Sequence, residues 1–494
     1  MQKSNLLTYT IIMTVVNLIM KSAGVSFNAY LTAKIGSAGI GLFQLAMTVY
    51  SMAATFSCAG IRLAVTRATV EITASRKYDL NKSVAVCITY AGICGSLIGF
   101  LLFSFAGKIG LHWISDSNTV LPLRILSLSL PFSAMSSALG GYFTAVGKIP
   151  QYSVVQMLEQ GSKIIIVVIL LNRFSQMGMF YSCVAIVIGM TCSEIISFSL
   201  SSLLKKFTLP KKTDKNTIDP FRIFRVALPD AAGTCARSIL LTIEHLLIPK
   251  GFKKSGAGSE AALAVYGNIH GLVMPILLYP SAVLSSFSSL LIPDLATKNE
   301  ANDRHGINRS VVKNLKRTLI FSLVCSVFFW IFASPLSEMF CKNSEAAMYI
   351  KILSPLVPIM YTDMVTDGML KGLDQQIYSM RYNILDSAIC VILVWLVLPK
   401  CSVKGYIFIL YASEIINFYL SINRLISVCD IEIFGKIRSF RERGGDSATF
   451  FPLKKCSDAQ TACGYHTYPG QRKRSPDCLS YRRTFRIQDL RELR

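Results

Sequence analysis

LRILSLSLPFSAMSSALGGYFTAVGKIPQYSVVQMLEQGSKIIIVVILL, residues 123–171, returns 227 positions later as IKILSPLVPIMYTDMVTDGMLKGLDQQIYSMRYNILDSAICVILVWLVL, residues 350–398. Without a gap, Ile125-Leu126-Ser127 falls on Ile352-Leu353-Ser354, Pro131 on Pro358, Gly141 on Gly368, Leu158 on Leu385 and Leu171 on Leu398. Nine of the 49 pairs are identical, a thin signal alone, but the kink-forming proline, the small residue, the acid (Glu159 on Asp386) and the base (Arg124 on Lys351) all keep register. The stretch reads as a duplicated membrane unit.

Composition places that unit in a bilayer. Of 494 residues 52% are hydrophobic and 16% charged, with a mean hydropathy of +0.48, whereas a soluble domain carries about 25% charged residues. The first apolar run, Leu6 to Tyr30, exceeds the roughly 7–15 residues of a signal-peptide core and lacks a small-x-small cleavage site after it, so it is expected to be retained as a span. Fourteen cysteines form no C-x-x-C pair and mostly sit within apolar runs, which indicates neither a disulfide framework nor a metal site.

Windows of about 20 apolar residues fall near 6–30, 39–61, 84–106, 122–147, 152–172, 179–204, 226–249, 262–292, 318–334, 349–370, 380–399 and 404–427. The expected fold is an all-α polytopic membrane protein: about 12 transmembrane helices in two six-helix lobes related by a pseudo-two-fold along the membrane normal. The lobes would occupy 1–204 and 226–428, joined by a polar cytoplasmic connector, 205–225, and followed by a basic, disordered cytoplasmic tail, 429–494. With the N-terminus inside, inner loops hold 21 Lys and Arg against 11 outside; both termini are therefore expected in the cytoplasm of a cell-membrane protein. The net charge of +23 is explained by these loops and the tail, and no nucleic-acid partner is expected.

No G-x-x-x-x-G-K-[ST], H-E-x-x-H or G-x-S-x-G motif occurs and the five histidines are scattered, so neither P-loop hydrolysis nor a catalytic constellation is indicated. No cofactor is expected; the energy source would be a proton or sodium gradient, or the substrate's own gradient. The informative residues are polar groups inside apolar runs, each ionised one costing a few kcal/mol at the bilayer centre without a wet cavity or partner. Lys21 interrupts the first span with about ten residues still to cross, which favours a cavity over an early span end with the ammonium snorkelling to the interface. Glu244, in the seventh span, could pair with Lys21 across the lobes, hold a cation or proton, or take a local partner such as Arg237 or His245. Asp363, Asp367 and Lys371 lie a turn apart on one helix face, where the fourth span has Ser136, Gly140 and Thr144. Glu159 and Lys163, spaced i, i+4, can pair with each other. The substrate-binding candidates are Lys21, Asn28, Gln44, Glu244, Asn268, Asp363 and Asp367.

Four stretches carry a family resemblance: GSAGIGLFQLAMTVYSMAATFSCAGIRLAVTRATVE (36–71), GGYFTAVGKIPQYSVVQMLEQGSKI (140–164), IEHLLIPKGF (243–252) and VYGNIHGLVMPILLYPSAVLSSFSSLLIPDLA (265–296). They resemble the stage V sporulation protein B-like polysaccharide transporters, within the multidrug/oligosaccharidyl-lipid/polysaccharide flippase superfamily, over roughly residues 5–428. The chain departs from the family pattern at Thr144-Ala145, where a Gln-Gly pair is expected, and at Lys163, where an arginine is usual. The resemblance implies a V-shaped bundle that passes a lipid-linked saccharide from the inner to the outer leaflet, with Lys21 near a diphosphate, and a role in envelope or spore-cortex assembly. Implied partners are the lipid-linked saccharide, membrane lipids and cell-wall synthases. Two rivals remain open: a cation-coupled multidrug antiporter of the same superfamily, which would favour acidic cavity residues, and a non-transporting membrane scaffold.

Overall fold

In a bilayer, backbone groups have no water to bond, so every segment that crosses must satisfy its own N–H and C=O groups. The computed structural model, which describes residues 3–75, 79–114, 116–174, 178–208, 220–340 and 344–429, is helical throughout its regular structure. Much of the connector, 209–219, and the tail from 430 on lie outside the described residues. In the first half of the chain the helices are α1 (Lys3–Cys58), α2 (Ile61–Ser75), α3 (Leu80–Lys108), α4 (Val120–Ser127), α5 (Leu130–Ala145), α6 (Ile149–Phe174) and α7 (Met179–Thr208). The second half holds α8 (Pro220–Lys254), α9 (Ser259–Tyr266), α10 (Met274–Leu277), α11 (Ser281–Glu300), α12 (Arg304–Ile331), α13 (Ala333–Phe340), α14 (Ser344–Leu353), α15 (Val357–Gly372) and α16 (Gln376–Cys429). Among the described residues eight helices are long and apolar enough to cross a membrane, or nine if the bent pair α4–α5 is one span. This is an all-helical, multi-span membrane protein.

The repeat reappears in the helix boundaries. α5 runs 130–145 and α15 runs 357–372, a shift of 227 at both ends, and the starts of α6 and α16, 149 and 376, differ by the same 227. Each copy also breaks before its proline. α4 and α5 meet at a 46° bend next to Pro131, and a single 3-10 turn, Ser354–Leu356, parts α14 from α15 next to Pro358. A proline has no N–H to give the preceding turn and is best tolerated in the first turn of a helix, so each helix restarts there. The two longest helices are also interrupted: α1 at Gly36, whose φ of 72° only glycine adopts freely, and α16 at Ser402, φ 48°, three residues after Pro399.

The amphipathic pattern is inverted relative to a soluble helix. α3 turns Ile93, Leu97, Phe100 and Phe103 outward, while Ser83, Cys87, Ala91, Gly95 and Gly99 are buried. The small stripe lets α3 lie against α5 and the end of α4: a Cβ on Gly95 would stand 2.7 Å from the Pro131 Cα, and one on Gly99 2.8 Å from the Ser127 carbonyl oxygen. Lipid accepts the large apolar side, and close packing holds the small one. α12 repeats the arrangement, with Asn314, Thr318 and Ser322 inward and Ile320, Val324 and Val327 outward.

The two halves meet along α1, which packs on α8, α9 and α11. At one point backbone touches backbone: a Cβ on Gly41 would collide with the Leu263 carbonyl, and one on Gly267 would reach within 2.7 Å of the Gly41 nitrogen. Gly267 opens a single π-helical stretch, Gly267–Val273, between α9 and α10. The described residues cluster as one unit.

Candidate functional site

A cavity of about 660 Å³ lies where α1, α6 and α7 face the broken segment α10–α11. α1 supplies most of its wall, including Asn17, Lys21, Asn28 and Gln44, interleaved with Met20, Phe27, Phe43 and Met47. Gln160 and Lys163 enter from α6, and Leu278 and Ser285 from the broken segment. The polar lining is therefore two ammonium groups, four amides and one hydroxyl, with no carboxylate among the described lining residues. Such a wall donates to anionic oxygens through its lysines, while its amides donate to and accept from hydroxyls.

Lys21 lies within an unbroken helical run that ends only at Gly36. Its Nζ donates to the Leu278 carbonyl at 3.1 Å and to Ser281 Oγ at 2.8 Å. Neighbouring links run the same way: Asn17 Nδ2 donates to Ser286 Oγ at 3.2 Å, and Ser22 Oγ shares a 2.8 Å hydrogen bond with Tyr279 Oη. The pairing of Lys21 with Glu244 does not form.

Lys163 is the residue that sequence reasoning set to structural work. Glu159 instead accepts a 2.6 Å hydrogen bond from Ser197 of α7, and among the described residues Lys163 makes no ion pair within 4 Å. Glu159 and Glu194 lie close enough to act on the ammonium electrostatically, but neither lines the cavity. The signal available beforehand was asymmetry, because the repeat mate of Lys163 is Cys390 while the mate of Glu159 is another acid.

Of the seven candidates, Lys21, Asn28 and Gln44 line the cavity. The other four do not. Glu244, 9% exposed, faces Asp386 and Cys390 of α16. Asn268 is buried in the π-helical stretch, with Nδ2 donating to Glu345 at 3.2 Å. Asp363 accepts from Asn417 Nδ2 at 3.0 Å. Asp367 is met by Lys371 at 2.8 Å and by Ser379 Oγ. The acids of the second half thus gather around Asp363, Asp386, Glu414 and Glu244, with Arg237 alongside, away from the cavity wall. Asp386, the repeat mate of Glu159, also accepts from a serine of the following segment: Ser413 donates to it at the same 2.6 Å, although Ser413 is not the mate of Ser197.

Comparison with known proteins agrees with this architecture. Residues 6–297 match the family model described as polysaccharide biosynthesis protein, and residues 255–396 match the MatE model. Stage V sporulation protein B of Bacillus subtilis (strain 168) is 21% identical over 398 residues, covering 79% of this chain and 77% of that protein. Among solved structures, an inward-facing multidrug resistance MATE family transporter of the MOP superfamily superposes with a TM-score of 0.61 at 13% identity, covering 85% of this chain and 95% of the other. The outward-facing conformation of such a transporter gives the same TM-score of 0.61 at 13% identity, covering 85% and 96%. At these identities the structures establish a MATE-like fold. With 292 of 494 residues inside one family model, the chain belongs to the polysaccharide biosynthesis protein family.

Proposed function

We propose that the protein is a flippase that moves a lipid-linked oligosaccharide or peptidoglycan precursor from the inner to the outer leaflet by alternating access, in envelope or spore-cortex assembly. The observation that carries this reading is the cavity wall: two lysines, four amides and no described carboxylate. An ionised lysine at the bilayer centre costs roughly 2.5–3.5 kcal/mol on insertion scales, so two around one cavity point to a wet space built for an anion. A phosphorylated sugar headgroup supplies that anion, and its hydroxyls suit the amides, while the polyprenyl chain stays in lipid.

The geometry supports twelve crossings in two lobes. At 1.5 Å per residue α1, with 56 residues, is about 84 Å long, far more than a hydrocarbon core of about 30 Å. Counting α1 and α16 as two crossings each, with α2 continuing the second crossing of α1, taking α4–α5, α9–α11 and α14–α15 as one each, and leaving out the eight-residue α13, gives six before the connector and six after it. An even number of crossings per half, together with the shift of 227 shared by α5/α15 and α6/α16, supports an axis along the membrane normal between the lobes, and the excess of Lys and Arg in alternate loops supports cytoplasmic termini.

The antiporter alternative requires acids facing the substrate. Glu244, Asp363 and Asp367 lie outside the cavity lining, which favours a coupling role for that cluster, holding a proton or sodium ion, over recognition of a cationic drug. Reconstitution into liposomes with a fluorescent polyprenyl-diphosphate sugar tests the proposal. Movement of the lipid by the purified protein alone, enhanced by an imposed gradient, is expected, and it would also dispose of the scaffold reading. Expulsion of a cationic dye while the lipid stays put would overturn it.

A further inference from the structure

Helix α10 ends after four residues, and α11 restarts only at Ser281. The break leaves carbonyls without helical donors, because the Ala282 N–H bonds the Tyr279 carbonyl rather than that of Leu278. Inside a membrane such groups need other partners. The Leu277 carbonyl takes Tyr361 Oη at 2.5 Å, from the same half of the chain. The Leu278 carbonyl takes Ser281 Oγ at 2.7 Å and Lys21 Nζ at 3.1 Å, the latter from the other half. Around it stand the Lys21–Ser281, Ser22–Tyr279 and Asn17–Ser286 links, three side-chain hydrogen bonds between α1 and residues 279–286.

We infer that these contacts form a latch between the two halves which the anionic headgroup itself releases, Lys21 being shared between the cavity and the helix break. The inference rests on the flippase reading. Before the headgroup enters, the ammonium is held by two neutral oxygens. A phosphate oxygen in the cavity offers a charge-assisted bond about twice as strong as a neutral one, so the lysine transfers to it. The Leu278 carbonyl then loses its tie to α1, and the remaining Ser22 and Asn17 links carry the seam alone. The ligand thus has a differential free energy for the latched and unlatched states, which is what coupling between occupancy and movement requires. Ser281 and Tyr279 act here as positioning residues: Ser281 competes with the ligand for Lys21, and Tyr279 holds the neighbouring turn of α1 through Ser22.

The test uses the full chain in nanodiscs with a polyprenyl-diphosphate N-acetylglucosamine. Ser281→Ala removes an oxygen that competes with the ligand for the lysine, and Tyr279→Phe removes the neighbouring link to Ser22 that also holds the latch shut; each should bind the lipid roughly fivefold tighter, the worth of one net hydrogen bond. A merely structural role would weaken binding or leave it alone. Backbone hydrogen exchange over 278–286 should accelerate when the lipid binds the wild-type chain, and should already be fast in lipid-free Lys21→Met. A neutral glycolipid should leave it unchanged, and inorganic diphosphate should act far more weakly than the lipid. Equal action by inorganic diphosphate would overturn the lipid headgroup as ligand. If the lipid binds but neither variant tightens and exchange is unaltered, the latch is refuted while the flippase reading stands. If the wild-type chain does not bind the lipid, both fall.

Discussion

Replacing Lys163 by methionine separates two accounts of the same residue. Methionine keeps much of the length and flexibility of the stem and removes the charge. If Lys163 serves the cavity, the variant loses one charge-assisted hydrogen bond to a phosphate, about 1.5–3 kcal/mol, or roughly 10- to 150-fold in affinity. The lower end is expected, because Glu159 and Glu194 already act on the ammonium and dilute its attraction for a further anion. Stability should hold, since Glu159 keeps its 2.6 Å bond from Ser197. If Lys163 instead neutralised Glu159, its loss would strand a buried carboxylate and cost about 3–5 kcal/mol, and Glu159→Gln would restore the loss. Equilibrium binding of a polyprenyl-diphosphate sugar, measured beside thermal unfolding in nanodiscs, distinguishes the two. A large drop in melting temperature with unchanged affinity refutes the cavity role.

Lys21→Ala should abolish lipid flipping in liposomes while the protein still folds and inserts; unchanged flipping would remove phosphate recognition from the mechanism. Gly95→Ala should destabilise by about 1–3 kcal/mol through overpacking, because its Cβ would meet the backbone of α5 at 2.7–2.8 Å. Gly107→Ala, with no atom within 4 Å of the added carbon, should be neutral or mildly stabilising in the same unfolding assay. Asp363→Asn should leave lipid binding intact and remove the response of transport to a proton or sodium gradient. A variant that still responds would place coupling elsewhere.

Much of the architecture was legible because a membrane enforces simple rules. About twenty apolar residues mark a crossing, and the prolines aligned at 131 and 358 mark where both copies restart a helix. Lys21, which lines the cavity, stood out for the same reason, as a charge with about ten residues of its span still to cross. Lys163 was not, because i, i+4 spacing makes a local pair with Glu159 equally consistent, and only the packing of α6 on α7 brings Ser197 to that carboxylate. The four candidates that lie off the cavity share one cause. A linear chain shows that Glu244, Asn268, Asp363 and Asp367 are polar within apolar runs, but the direction each points depends on helix rotation, fixed by neighbours distant in sequence. The break at 278–280 lies between Pro275 and Pro280, neither of which can donate a backbone hydrogen bond; that its carbonyl recruits a lysine 257 residues away follows only from the assembled bundle.

The glycine contact between α1 and α9 has a mechanical meaning. Where Gly41 meets Leu263 and Gly267, no side chain from either glycine interlocks, so parting this spot forces no rotamer of theirs to change. Dispersion between flat surfaces falls off steeply with separation, which makes such a join firm when shut and nearly indifferent once slightly open. The proposed alternating-access cycle needs a fastener of this kind, quick to let go and self-aligning on return. A single methyl group at either glycine would act as a shim, holding the faces apart by the width that decides whether they grip.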